Sequence, residues 1–247
     1  MRSVLHFFKQ LLMTLLLVAL IGLVVFGIYF GWQGHSLYEE AVKNYPISTM
    51  YESIKSRADF VSYDEMTQTY VNAVISVEDK RFVSHHGIDP ISIGRALLID
   101  LKTCSLAEGG STLTQQLAKN ELFTQEKRLA RKAAEMFAAM SIEKQYSKQQ
   151  IFEMYANTIY FGNNYYGIAQ AAQGYFGKTP AELTDAEAVL LAGLPNAPSL
   201  YSPTANPGLA FKRAKVVLQR MVETKNLTKE QAVELETEVA SLSILAH

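Results

Sequence analysis

Cysteine is almost missing from this chain of 247 residues: Cys104 stands alone. That excludes an internal disulfide and leaves no Cys-rich metal site. No thiol-nucleophile motif surrounds it, so it reads as an incidental small side chain. Net charge is lacking too. Lysine and arginine number 23 against 24 acidic residues, a formal charge of −1, which excludes a bulk electrostatic pull toward nucleic acid. Any anion must be met by a local cluster of cations. Alternating strand-like segments are scarce, and there is no internal repeat and no long linker.

Charge is wholly absent from one stretch, Leu11 to Trp32, LLMTLLLVALIGLVVFGIYFGW. About 20 apolar residues cross a bilayer as a helix. A cleaved signal peptide has a shorter apolar region, about 7–15 residues, followed by small residues at the cut. Here the run ends in Tyr29, Phe30 and Trp32, suited to an aromatic belt at the membrane interface. Arg2 and Lys9 precede it, and Glu39 and Glu40 follow. The positive-inside tendency puts the N-terminus in the cytoplasm. The expected division is residues 1–34 as cytoplasmic stub and transmembrane anchor, and 35–247 as one extracytoplasmic domain.

The rest is punctuated by helix starts. Ser62 with Glu65, Ser147 with Gln150, Thr184 with Glu187 and Thr228 with Gln231 each fit a capping box. Asp89-Pro90 fits an N-cap followed by proline at the first helical position. Met66, Tyr70, Val74 and Val77 fall on one helical stripe, as do Ile151, Met154 and Tyr155. Gly193 to Gly208 reads as a loop before two C-terminal helices. The expected fold class is mainly α.

Three stretches carry chemistry. In VISVEDKRFVSHHGID, Glu78 lies four residues after Val74 and seven after Val71, bordering an apolar stripe. Partial desolvation there raises a carboxyl pKa and suits a proton acceptor. The competing reading is an exposed Glu-Asp pair at a helix end. His85 and His86 have no carboxylate at ligand spacing, so His85 reads as a structural hydrogen-bonding residue beside the Gly87 turn. In EGGSTLTQQLAKN, Gly109 and Gly110 free the backbone, and Ser111 is a candidate N-cap whose helix start would favour an anion. Thr112, Gln115 or Gln116, and Lys119 recur at helical spacing opposite Leu113 and Leu117. An ordinary amphipathic surface helix has the same pattern. In EKRLARKAAE, the cations Lys127, Arg128, Arg131 and Lys132 open a helix whose dipole disfavours them, and Glu135 follows Arg131 by one turn. A solvated, charged face is the alternative. Ser141 to Lys144 matches the SxxK motif of serine enzymes, but neither SDN nor KTG accompanies it.

Five blocks in order resemble the peptidoglycan glycosyltransferases, glycosyltransferase family 51: EDKRFVSHHGID (Glu78–Asp89), GGSTLTQQLAKN (Gly109–Asn120), RKAAE (Arg131–Glu135), NTIYFGNNYYGIAQAAQGYFGK (Asn157–Lys178) and LTDAEAVLLAGLPNAPSLYSP (Leu183–Pro203). The resemblance implies a lysozyme-like, mainly helical fold with a small membrane-facing jaw lobe. It implies polymerisation of lipid II into β-1,4-linked glycan, inverting the anomeric carbon and releasing polyprenyl diphosphate. With no room for a penicillin-binding transpeptidase domain before His247, the chain resembles the monofunctional members. By the same resemblance, Glu78 is the general base and Glu135 the second carboxylate, of less settled role. Ser111, Thr112, Gln115, Gln116, Lys119 and Asn120 are donor-side contacts, with Arg131 and Lys132 at the diphosphate and Phe82 in support. Many members carry arginine where this chain has Lys127, which keeps the charge without the bidentate fork. The partners implied are lipid II, the growing strand and the membrane, with other cell-wall synthesis proteins as candidates and no nucleic acid. A divalent ion, Mg²⁺ or Mn²⁺, could assist but is not demanded. The alternatives are a muramidase or lytic transglycosylase, or an inactive scaffold of wall synthesis.

Overall fold

The computed structural model describes residues 2–103, 109–123 and 129–245, and within these it contains helices and no strand. Helix α1 (Arg2–Asn44) runs unbroken through the expected boundary at 34/35. No proline interrupts the sequence there, Gly34 being tolerated within the helix, and α1 stops one residue before Tyr45-Pro46, where proline disfavours continued helix. Its apolar side chains from Phe7 to Trp32 are largely exposed. By length and composition this helix could cross a membrane.

The short α2 (Ile47–Lys55) buries Ile47, Met50 and Ile54, the i, i+3, i+7 stripe of a one-sided helix. The Ser62 capping box is formed, yet it closes only a 3₁₀ turn, Tyr63–Glu65. Met66 is extended (ψ 140°), and α3 (Gln68–Glu78) starts afresh from an N-cap at Thr67. The predicted stripe holds: Met66, Tyr70 and Val74 are buried, and Val77 is half-buried. Asp89 caps α4 (Pro90–Thr103) as expected, its Oδ1 accepting from the amides of Ile91 and Ser92 at 3.1 Å. None of the described α4 side chains beyond Asp89 is buried, and Ile91, Leu98 and Ile99 face out.

Next come α5 (Leu113–Leu122), α6 (Leu129–Gln145) and α7 (Lys148–Thr158), the last starting from the predicted Ser147–Gln150 box. Beyond α7, an isolated antiparallel bridge joins Tyr160 to Tyr166 before α8 (Ile168–Phe176). Then follow α9 (Asp185–Gly193), α10 (Pro207–Glu223) and α11 (Lys229–Ala240). The predicted boxes at Thr184 and Thr228 cap α9 and α11. The expected loop is a 3₁₀ turn, Leu194–Asn196, with irregular chain up to α10.

Helix α9 is buried from Ala186 to Gly193 because it is apolar almost all round, and α3, α10 and α11 pack about it. Each fully buried valine or leucine there contributes about 1.5–3 kcal/mol. On the other side α6 lies between α5 and the C-terminal part of α1. Gly34 makes that contact close: a Cβ there would overlap Ala133 Cβ and come within 2.9 Å of the Ala130 carbonyl oxygen. Beside it, His35 meets Phe137 edge to face at 5.1 Å between centroids.

Candidate active site

Helix α3 ends on Glu78, placing its side chain where α3, α5 and α10 converge. Only 9% of that side chain is exposed. Gln116 donates from Nε2 to Oε2 at 2.8 Å, and Arg213 of α10 donates from Nη2 to Oε1 at 3.3 Å. Burial pushes the Glu78 carboxyl above its usual range, and neighbouring Asp79 pushes the same way; Gln116, Arg213 and Lys119 pull against them. A carboxylate whose pKa is raised by desolvation while its ionised form is steadied by donors is a stronger base than an ordinary surface carboxylate.

Asp79 anchors the next layer. It is buried, accepts a hydrogen bond from His85 Nε2 at 2.9 Å, and accepts from the Leu113 amide at 3.0 Å. A carboxylate thus sits on the first amide of α5, where the helix dipole favours it. The Gly87 amide donates to His85 Nδ1 at 3.2 Å, so His85 fills the structural role expected beside that turn. Gly87 itself has φ +89°, and a Cβ on it would lie 2.7 Å from the Ala139 carbonyl carbon of α6. Lys148 completes the support: its Nζ donates to the His85 carbonyl at 2.7 Å and to Glu143, and sits 4.5 Å over the Phe82 ring.

The N-cap of α5 is Thr112, not Ser111. A capping box needs Glu or Gln three residues on, and Gln115 satisfies that for Thr112, whereas Ser111 would meet Thr114. Gln115 Oε1 accepts from the Thr112 amide at 2.9 Å, and Thr112 Oγ1 accepts from the Gln115 amide and donates to the Gly87 carbonyl at 2.7 Å. Both side chains are buried. Thr112 and Gln115, expected among the donor contacts, are therefore engaged in capping α5 and tying it to the Gly87 turn. Their hydrogen-bonding groups are directed into the fold.

Ser111 instead accepts from Lys132 Nζ at 2.7 Å. The same ammonium lies 2.8 Å from Glu135 Oε2, and Arg131 Nε lies 3.0 Å from Glu135 Oε1. Glu135 is almost wholly buried between the two cations, which its burial requires. Helix α5 thus bridges the two carboxylates: Gln116 reaches Glu78, and Ser111, just before α5, reaches the Lys132–Glu135 pair. Lys119, further along α5, acts on Glu78 electrostatically and has no hydrogen bond or ion pair among the described residues. Asn120 beside it is half-buried. Lys127 lies outside the described residues.

Among the described residues, no group of three or more His, Cys, Asp or Glu could hold a metal ion. Both Glu135 oxygens already face cations. This donor set does not fit a protein-held Mg²⁺ or Mn²⁺.

Sequence reasoning missed Arg213 and Asp79. Arg213 left a signal: it lies on the α10 face whose other members, Ala210, Ala214, Val217 and Met221, are all buried. A lone guanidinium on an apolar stripe announces a buried anion, but not which one. Asp79, adjacent to Glu78, was legible only as half of a charged pair.

The Transglycosylase family profile matches residues 44–222. Penicillin-binding protein 1A/1B of Bacillus subtilis (strain 168) is 41% identical over 226 residues, covering 87% of this chain and 25% of that protein. Penicillin-binding protein 1A of Aquifex aeolicus (strain VF5) is 45% identical over 172 residues, 70% of this chain and 24% of that one. The crystal structure of penicillin-binding protein 1A from Haemophilus influenzae is 34% identical across a match covering 51% of this chain and 16% of that one, with a TM-score of 0.36. This chain spans about a quarter of the length of the curated relatives it matches.

Proposed function

The chain belongs to the Transglycosylase family, and on that premise we propose that it is a peptidoglycan glycosyltransferase polymerising lipid II into β-1,4-linked glycan strands. The observation that carries this reading is the joining, through α5, of a desolvated carboxylate to a carboxylate held between two cations.

Glu78 takes the proton from the 4-hydroxyl of the acceptor sugar. The oxygen freed of its proton attacks the anomeric carbon of the donor strand. The new C–O bond forms as the bond to the lipid diphosphate breaks on the opposite face, so α becomes β and the electron pair leaves with the diphosphate. Arg131, Lys132 and Lys119 meet the charge that develops there. Fixed cations aimed at such charge account for much of the barrier lowering in enzymes of this kind, and one donor is commonly worth about 100-fold or more in rate. Glu135 keeps Arg131 and Lys132 in register. Ser111 and Asn120 border the same donor side, and Lys127 remains a candidate contact.

The substrate's polyprenyl chain calls for a site at a membrane. Helix α1 serves as the anchor, with a cytoplasmic N-terminus and the domain from about residue 35 outside. The outward-facing apolar residues of α4, Ile91, Leu98 and Ile99, suit the membrane-facing jaw lobe. A glycan-cleaving enzyme has no use for the cations around Glu135.

The test is full-length protein with purified lipid II, products resolved on a gel and digested with muramidase. Polymer that muramidase degrades is expected. Shortening of preformed glycan without synthesis would replace this reading with a cleaving enzyme, and inertness across detergents and divalent ions would replace it with a scaffold.

A further inference from the structure

We infer that Arg213 is a positioning residue that acts through Glu78, its guanidinium placed against Oε1 to keep that carboxylate ionised, an inference resting on the reading of Glu78 as the base. Its own placement makes the case first. The guanidinium stems from the buried face of α10, where desolvation penalises a charge unless it is paired. It is held at three points. Nε donates to the Gly193 carbonyl at 3.2 Å, the group lies 5.7 Å from the Tyr201 ring centroid, and Nη2 reaches Glu78 Oε1 at 3.3 Å. At Gly193 a Cβ would stand 3.0 Å from Arg213 Cγ, so the stem passes close against α9 and a side chain there would have to push it aside.

The two Glu78 oxygens are held unequally. Gln116 grips Oε2 at 2.8 Å. Arg213 stands off Oε1 at 3.3 Å, beyond the 2.7–2.9 Å usual for charge-assisted N–H···O bonds. Gln116 thus fixes the carboxylate plane, while Arg213 supplies positive charge to an oxygen it does not saturate. Each oxygen carries one donor and keeps a second acceptor position for a sugar proton.

Several groups face this carboxylate. Asp79 adjoins it on its own element, Gln116 and Lys119 act from α5, Tyr155 from α7 and Arg213 from α10. Burial and Asp79 favour the protonated form. Of the charges opposing them, Arg213 acts more strongly than Lys119. Without Arg213 the base would stay protonated to higher pH and be idle over part of its working range.

The experiment uses the full-length protein in detergent. The pH profile of kcat/KM with lipid II is measured for wild type, Arg213→Met and Arg213→Lys. In parallel, the Glu78 carboxyl is titrated by infrared difference spectroscopy against Glu78→Gln, which needs no turnover. For Arg213→Met, the acidic limb and the carboxyl titration should both move to higher pH. Rates should fall at least about tenfold at the acid end and converge on wild type at the alkaline end. Arg213→Lys should restore most of the limb. Equal loss at every pH with an unmoved carboxyl would make Arg213 a strut and overturn the inference. Should Arg213→Met fail to fold, Arg213→Gln, which keeps a donor for the Gly193 carbonyl, must show the same movement. A shifted carboxyl in a wild-type protein that makes no polymer would sink the polymerase reading and leave the coupling. Polymer with an unmoved limb would do the reverse.

Discussion

Replacing Glu78 with glutamine removes one proton acceptor and the counter-charge of Arg213. The side chain keeps its shape, and its surroundings can re-pair. The oxygen of the introduced amide can accept from Arg213, and its NH₂ group can donate to Gln116 once the Gln116 amide turns over. Two hydrogen bonds to a charged group become two to a neutral one, a loss of about 1–2 kcal/mol. Relief from burying a carboxylate offsets part of it, but Arg213 is left buried without its counter-charge, which brings the net change to about 3 kcal/mol. That moves the melting temperature by about 6–12 °C for a domain of this size. Catalysis has no such compensation. Loss of a positioned general base lowers turnover about 10²–10⁴-fold. The wild-type rate should also fall as pH drops through the Glu78 pKa, which burial places above the ordinary carboxylate range, because only the ionised form accepts a proton. The variant should lack that limb. Lipid II polymerisation followed by gel, with thermal melts on the same preparations, measures both. Turnover within about threefold of wild type in a well-folded variant would refute the assignment of the base.

Lys132→Met should release both Ser111 and Glu135 and lower the initial polymerisation rate about 100-fold, with helicity unchanged by circular dichroism. Thr112→Val removes the α5 cap and the bond to the Gly87 carbonyl, so denaturant unfolding should show a loss of about 2 kcal/mol. Gly87→Ala meets both a positive φ and the α6 backbone, and should lower the melting temperature by more than a cap deletion does.

The sequence revealed what is local and withheld what is distant. The boxes at Ser147, Thr184 and Thr228 were readable because cap and partner are three residues apart, and each starts a helix. The Ser62 box was equally readable but misled about length, since nothing in its spacing shows that Met66 turns extended. Placing the α5 cap at Ser111 missed the pairing rule that selects Thr112. Glu78 on its stripe hinted at burial, but which side chains meet it depends on tertiary contacts: Gln116 is 38 positions away and Arg213 is 135. The two carboxylates with their cations were recoverable from motif order; the guanidinium behind the base was not.

The contact at Gly34 bears on how such a machine could work. Because α1 is seated directly on Ala130, Ala133 and Ala134, the proposed anchor packs against the very helix that bears Arg131, Lys132 and Glu135. With α1 as the proposed anchor, a slack leash would let the cationic start of α6 swing and tilt above the lipid, whereas a mast stepped into the hull would hold it at a set height over the surface.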